Sequence, residues 1–356
     1  MKKFLIFFLF SMLTVNLFAQ KEKHKKHQKH AKGQHGMHWN GKPKDMATWN
    51  KGASFSLFAG QTGSKNWASG SDLFSLSVNG FFNAHANRTR GRWFWNNELA
   101  LSYGLINTDE YSTIKNDDKI DFLSTLGFKA KKLKNIGFGP AFAFRSQFSN
   151  GYDRNYLNQG FKKRTSGFFA PAYVTFAPFG IQWQTRHITF YAAPAGRAVI
   201  VSNSPYSYMF QGGTVPGSLI NDKNATTQER SVAELYGVDP AKEVTWQYGM
   251  YASLGYHLEV CKNVTWSGRV DAFSDIHHDA PQNVKLFWTN MFTLKVNNWL
   301  RAIYSLDVAY DDDIKKFGYF RNHADWQVKS ILGVGASLNT GWGMHGKMHK
   351  KMEMSK

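Results

Sequence analysis

A single cysteine, Cys261, stands in 356 residues, so no internal disulfide can form and the fold depends on no such staple. Beyond the first twenty residues no apolar window approaches the roughly 20 residues that a spanning helix needs. The mean hydropathy of −0.43 agrees. Read for helices alone, the chain looks water-soluble. Phosphate-cradling glycine loops, CxxC pairs, HExxH and GxSxG are missing too, which removes the familiar nucleotide, redox, zinc and hydrolase signatures. Acid is scarce, with 25 Asp and Glu against 44 Lys and Arg for a net charge of +19.

What is present begins with an export signal. Lys2 and Lys3 precede an apolar run over 4–12 that closes on Leu17-Phe18-Ala19 before Gln20. This predicts a secretory signal peptide over 1–19, cleaved after Ala19. No Cys follows the run, which excludes a lipoprotein. The charge excess is concentrated at the ends: residues 21–44 carry +7 and residues 344–356 carry +3, and with Lys2 and Lys3 also set aside the body keeps +7. Export makes nucleic acid an unsuitable partner for these tails, whereas anionic envelope polymer and outer-membrane lipid suit them.

From about residue 53 the apolar signal has a period of two. Val244, Trp246, Tyr248, Met250, Ala252, Leu254, Tyr256 and Leu258 form one face; Thr245, Gln247, Gly249, Tyr251, Ser253, Gly255, His257 and Glu259 form the other. Leu300 to Tyr310 and Trp326 to Leu338 alternate in the same way. Such strands have one apolar and one polar face. About twelve are expected: 53–61, 72–85, 92–106, 119–130, 136–148, 168–177, 187–201, 243–260, 263–274, 284–297, 299–310 and 325–341. The odd-numbered connections are mostly long and the even-numbered ones short, the asymmetry of an outer-membrane barrel with tight periplasmic turns and longer extracellular loops. An even strand number puts both ends in the periplasm.

Alternation by itself also fits a soluble sandwich. The apolar rows, however, carry Trp246, Tyr256, Trp288, Tyr310, Trp326 and Trp342 near strand ends, where amphipathic rings suit the lipid headgroup level. The opposite rows carry Gly, Ser, Thr and charge, which suits a lumen. The expected fold is therefore an all-β, transmembrane, antiparallel up-and-down barrel of about 12 strands over 51–342. A disordered His/Lys-rich periplasmic head over 20–50 precedes it, and a Met/His/Lys-rich tail over 343–356 follows.

Several words then come in a characteristic order: Asn66-Trp67-Ala68-Ser69-Gly70, Trp95-Asn96-Asn97-Glu98-Leu99 with Tyr103-Gly104, and Lys115-Asn116-Asp117-Asp118-Lys119-Ile120-Asp121. Phe144-Arg145-Ser146-Gln147-Phe148 with Gly151-Tyr152, Phe169-Ala170-Pro171-Ala172-Tyr173 and Leu332-Gly333-Val334-Gly335 follow. Over about 50–340 the chain resembles a Bacteroidota family of outer-membrane barrels known only as a domain of unknown function. That resemblance implies a barrel in the outer membrane of a Gram-negative bacterium and brings no substrate or activity. The His/Lys head and the Met/His/Lys tail depart from the family pattern, so nothing about them can be borrowed.

Candidate site residues follow from the rows. The inward rows carry Arg145, Arg197, Arg269, Lys285, Lys295, Arg301 and Lys329 against Glu98, Asp121, Glu259, Asp271 and Asp307. So mixed a lining is expected to form pairs across the lumen that hold the barrel or a plug. Ser253, His257 and Glu259 share a strand and are the nearest approach to a rim active site. At the usual rise, however, positions 253 and 257 lie about 13 Å apart. No catalytic residue is assigned, and lumen polarity is the expected role. The acidic runs Asp117-Asp118 and Asp311-Asp312-Asp313 are expected to be solvated outer-loop charge. In the head, His24, His27, His30, His35 and His38 suit Zn, Cu or Ni, and Met344-His345 and Met348-His349 in the tail suit Cu(I). Interleaved lysines repel a cation there, and a solvated basic tail is the plainer reading. The function expected is a porin-like channel, a transporter or a structural envelope component. An outer-membrane enzyme and a metal-handling protein are the alternatives.

Overall fold

The structure is a computed structural model that describes residues 48–63, 74–108, 113–133, 135–156, 161–202, 233–239, 242–276, 284–314 and 323–343. The expected signal peptide, the five head histidines and the Met/His/Lys tail lie outside the described residues.

Fourteen strands are described: β1 (Thr48–Gly63), β2 (Phe74–Arg90), β3 (Trp93–Thr108), β4 (Ile114–Lys129), β5 (Ile136–Ser146), β6 (Gly151–Tyr156) and β7 (Phe161–Ser166) in the first half. They continue with β8 (Ala172–Gln184), β9 (Ile188–Ile200), β10 (Val244–Cys261), β11 (Val264–Asp275), β12 (Val284–Lys295), β13 (Leu300–Tyr310) and β14 (Gln327–Gly343). All but β6 and β7 join one closed antiparallel barrel, in which chain neighbours pair and β1 meets β14. Closure leaves no sheet edge with unpaired backbone groups, a condition lipid imposes on any spanning sheet. The barrel strands run from 11 to 18 residues, enough to cross hydrocarbon with the usual tilt.

The two faces divide as the alternation requires. On β14, Leu332 is 72% exposed and Leu338 67%, while the intervening inward positions Ile331, Gly333 and Ser337 are buried. On β10, Trp246, Tyr248 and Met250 are exposed and Gln247, Tyr251 and Ser253 are buried. Large apolar side chains in the exposed rows and polar ones in the buried rows are the reverse of a soluble domain, and they make this a membrane-spanning barrel. Trp246 and Trp326 mark the outer end of the apolar band, and Trp93, Trp95, Trp183 and Trp299 mark the periplasmic end, all exposed.

Tight turns join strands at the periplasmic end, and three contain a left-handed residue: Gly91, Asn135 and Asn263, with φ of 55°, 67° and 69°. Glycine and asparagine are the residues that accept this conformation at least cost. The twelve expected segments correspond one to one with the barrel strands, with two differences. The connection over 149–167, expected to be a loop, contains the hairpin β6–β7. The turn expected over 178–186 shrinks to 185–187, because β8 continues through Pro178 and Phe179. Its register with β9 shifts between Phe176 and Ile181, a bulge that accommodates a proline without an N–H to offer.

Large side chains occupy the lumen on its periplasmic side. Phe94 lies over Gly127 and Gly137, and a Cβ added at Gly137 would fall 2.6 Å from the ring. Phe58 and Phe81 meet edge to face at 5.9 Å and pack with Ile303 and Ile331, and a further cluster of Tyr191, Tyr251, Ala193, Ala195 and Phe273 reaches from there into the outer half. Eight strands enclose just enough room for side chains to fill. Twelve enclose more, and here the surplus is taken up by aromatic rings and by charge.

Candidate functional site

The charges sit in three balanced groups in the outer half of the lumen. The first joins β4, β5 and β11. Arg145 bonds Asp121 at 2.8 Å and Asp271 at 2.9 Å, and Arg269 bonds Asp271 at 2.9 Å and also reaches Asp121. The Tyr251 hydroxyl donates to Asp271 at 2.9 Å, and the Arg145 guanidinium lies 3.5 Å over the Phe287 ring. Strands β4 and β11 are five steps apart in a ring of twelve, so these bonds cross the lumen.

The second group crosses on the other side. Lys119 meets Asp307 at 3.3 Å, Lys329 meets Asp307 at 3.0 Å, and Lys329 also bonds Asp117. The carrier is again β4, whose inward row places Asp117, Lys119 and Asp121 at successive inward positions, five ring steps from β13.

The third group holds a loop. The chain after β13 turns into the mouth at 311–314, where Arg197 meets Asp311 at 3.4 Å and Lys285 meets Asp313 at 2.7 Å. Gln247 adds a bond to Asp313 at 2.8 Å. Burial, and then the Asp313 carboxylate, push the Asp311 carboxyl above the usual range, against the pull of Arg197 and Lys285. Two cations and two carboxylates make up each group. Balance is what burial demands, since an isolated ion loses far more in hydration than the interior returns.

An apolar lid covers this belt. Ala233, Leu235, Tyr236 and Val238 fold back with Ile314 onto Ala170, Val199 and Val201, and the Tyr236 hydroxyl donates to the carbonyl of Thr165 at 2.9 Å. Between lid and belt lies a cavity of about 510 Å³. Tyr173, Tyr236, Tyr251 and Phe287 line it together with all three groups of charge. Small-molecule sites commonly fall in this size range. Two buried atoms of the lining, Arg145 Nε and Asp307 Oδ1, have no hydrogen-bond partner among the described residues.

The structure thus brings together Asp121, Arg145, Arg269 and Asp271, then Asp307 with Lys329, and then Arg197 near Lys285. Glu98 faces inward opposite His85 and next to this belt. Glu259, Lys295 and Arg301 continue inward rows at the periplasmic rim, away from the belt, with Lys295 opposite Arg301. Asp117, Asp311 and Asp313 correct the expectation of solvated loop charge, because each is held by a lumen cation. Sequence reasoning also missed Lys119, although the alternation Asp117, Lys119, Asp121 was there to be seen. Ser253 is buried opposite Asp271 in the belt, and His257 lies further toward the periplasm. Among the described residues no group of three His, Cys, Asp or Glu side chains is placed to hold a metal ion.

Comparison with known proteins gives one partial family match and several solved structures of low similarity. A family model described as a protein of unknown function (DUF3078) matches residues 59–152. That span contains the first four words of the resemblance. No curated protein matches the chain. Among solved structures, the chain is similar to the translocator domain of the autotransporter NalP from Neisseria meningitidis, at 7% identity, with 85% of this chain and 89% of that one covered and a TM-score of 0.32. An outer membrane channel from Pseudomonas putida F1 is similar at 9% identity, with 85% and 100% covered and a TM-score of 0.34. The NanC porin is similar at 9% identity, with 80% and 97% covered and a TM-score of 0.29.

Proposed function

We propose that this barrel is a gated conduit of the outer membrane of a Gram-negative bacterium, exported by removal of residues 1–19, which takes small polar solutes from the extracellular side. The observation that carries this reading is the pairing of Arg145 and Arg269 with Asp121 and Asp271 across the lumen. Buried ion pairs contribute little net stability, yet removing one partner costs about 3–5 kcal/mol. Such pairs suit a device that must be shut in one arrangement and must exchange partners in another. A barrel with only a structural role could fill the same space with apolar side chains at no loss.

The cavity outside the belt is where a solute would wait. Its mixture of rings, balanced charge, a spare donor on Arg145 and a spare acceptor on Asp307 favours a small polar or zwitterionic molecule over a hydrocarbon. Outer-membrane lipid around the barrel, anionic envelope polymer at the basic tails, and Zn, Cu or Ni at the head histidines remain proposals that rest on the sequence.

Liposome swelling tests the gate. Vesicles holding the wild-type barrel are expected to admit small sugars and amino acids close to the protein-free rate. Vesicles holding the Arg145→Ala, Arg269→Ala variant should swell at least tenfold faster. Fast swelling with wild type would make this an ordinary open porin, and a variant as tight as wild type would remove the belt from the gate.

A further inference from the structure

Cations at the periplasmic rim behave differently from those in the lumen. Every cation of the lumen belt meets an aspartate, but among the described residues none of Lys51, Arg88 or Arg90 makes an ion pair. All three lie on the outward rows of β1 and β2, interleaved with tryptophan. The register sets Trp49, Arg88 and Trp95 side by side across β1, β2 and β3, with Arg90 opposite Trp93 one outward position nearer the turn. The Lys51 ammonium lies 4.7 Å from the centre of the Trp49 ring, and the Arg88 guanidinium lies 5.4 Å from the same ring. Trp49 and Trp95 are 6.2 Å apart.

From this arrangement we infer a site for the headgroup of an anionic phospholipid, of the phosphatidylglycerol class, in the periplasmic leaflet. Tryptophan at a barrel rim fixes the depth of the headgroups. At that depth the charge that lipid offers is a phosphodiester, and a guanidinium presents it with paired donors. The rings hold the basic side chains against the wall and give the glycerol backbone an apolar floor. Neighbouring Arg92 is committed elsewhere: its Nε donates to the carbonyl of Lys129 at 2.9 Å and its guanidinium lies 4.0 Å over Phe128. That leaves three cations for one headgroup.

Native mass spectrometry of the full-length barrel, equilibrated with equal amounts of phosphatidylglycerol and phosphatidylcholine, tests the site. Wild type is expected to retain phosphatidylglycerol in clear preference. One cation fewer at an anionic surface weakens the contact about fivefold. Arg90→Gln, an exposed change that leaves the wall untouched, should lower retention by about that factor, and Lys51→Gln, Arg88→Gln and Arg90→Gln together should bring the two lipids to parity. Arg186→Gln with Lys262→Gln, two rim cations on turns elsewhere in the ring, should change nothing. Each protein is first checked for the faster gel migration of an unboiled barrel. Equal retention of both lipids by wild type, an unchanged preference in the Arg90 and triple variants, or an equal loss in the Arg186, Lys262 control would overturn the site. Replacing chloride with inorganic phosphate at equal ionic strength should leave the lipid bound, and its displacement would assign these cations to free phosphate instead.

Discussion

Leu254 and Ser253 are neighbours on β10 with opposite fates. Leu254 is 38% exposed toward lipid, whereas Ser253 is buried in the belt beside Asp271. The alternation of the sequence carried that much, because a strand sends successive side chains to opposite faces. It also set Asp121, Arg145, Arg269 and Asp271 on inward rows. It did not say which carboxylate each arginine would meet, since β4 and β11 come together through closure of the ring and not through nearness in the chain. Asp117 and the 311–313 run were hidden for a related reason. A run of acid reads as solvated loop until the cation that neutralises it arrives from a distant strand. At this scale the sharpest expectation is Leu254→Arg, which places a charge against hydrocarbon near the middle of the band. It should cost roughly 2–4 kcal/mol in urea-driven unfolding from lipid vesicles. Leu254→Ala should cost far less, and equal losses would mean that this face of β10 does not meet lipid.

Among the elements, the strands were easier to read than their connections. Twelve segments were legible because the pattern of one apolar and one polar row repeats in each of them. Pro178 misled the reading of β8, since a proline normally ends a strand and the compensating bulge depends on what β5 and β9 offer beside it. Hairpin β6–β7 was missed because its residues, Gly151–Tyr156 and Phe161–Ser166, show no apolar alternation: they pair with each other in a two-stranded sheet separate from the barrel. Turn chemistry gives a clean test here. Asn263 holds φ at 69° between β10 and β11. Valine at that position meets the steric penalty of the left-handed region, about 1–2 kcal/mol, and glycine does not. Asn263→Val should refold from urea with a lowered midpoint and Asn263→Gly with an unchanged or higher one. Equal midpoints would contradict the turn geometry.

For the molecule as a whole, closure creates the problem that the belt solves. A ring of twelve strands satisfies every backbone group at its edges and leaves an interior too wide for small side chains. Apolar rings fill its periplasmic half, and charge spans its outer half. A lumen crossed by Arg145 and Arg269 is shut only while their partners are in place, so the charge itself, and not the bulk of the side chains, should decide conductance. Single-channel recording in planar bilayers separates the two. Wild type is expected to be nearly silent, and Arg269→Asp, which leaves the first group with three carboxylates and one cation, should conduct steadily. Adding Asp121→Arg restores two charges of each sign and should silence the channel again. A wild-type barrel that conducts steadily, or an Arg269→Asp barrel as silent as wild type, would contradict a lumen closed by ion pairs.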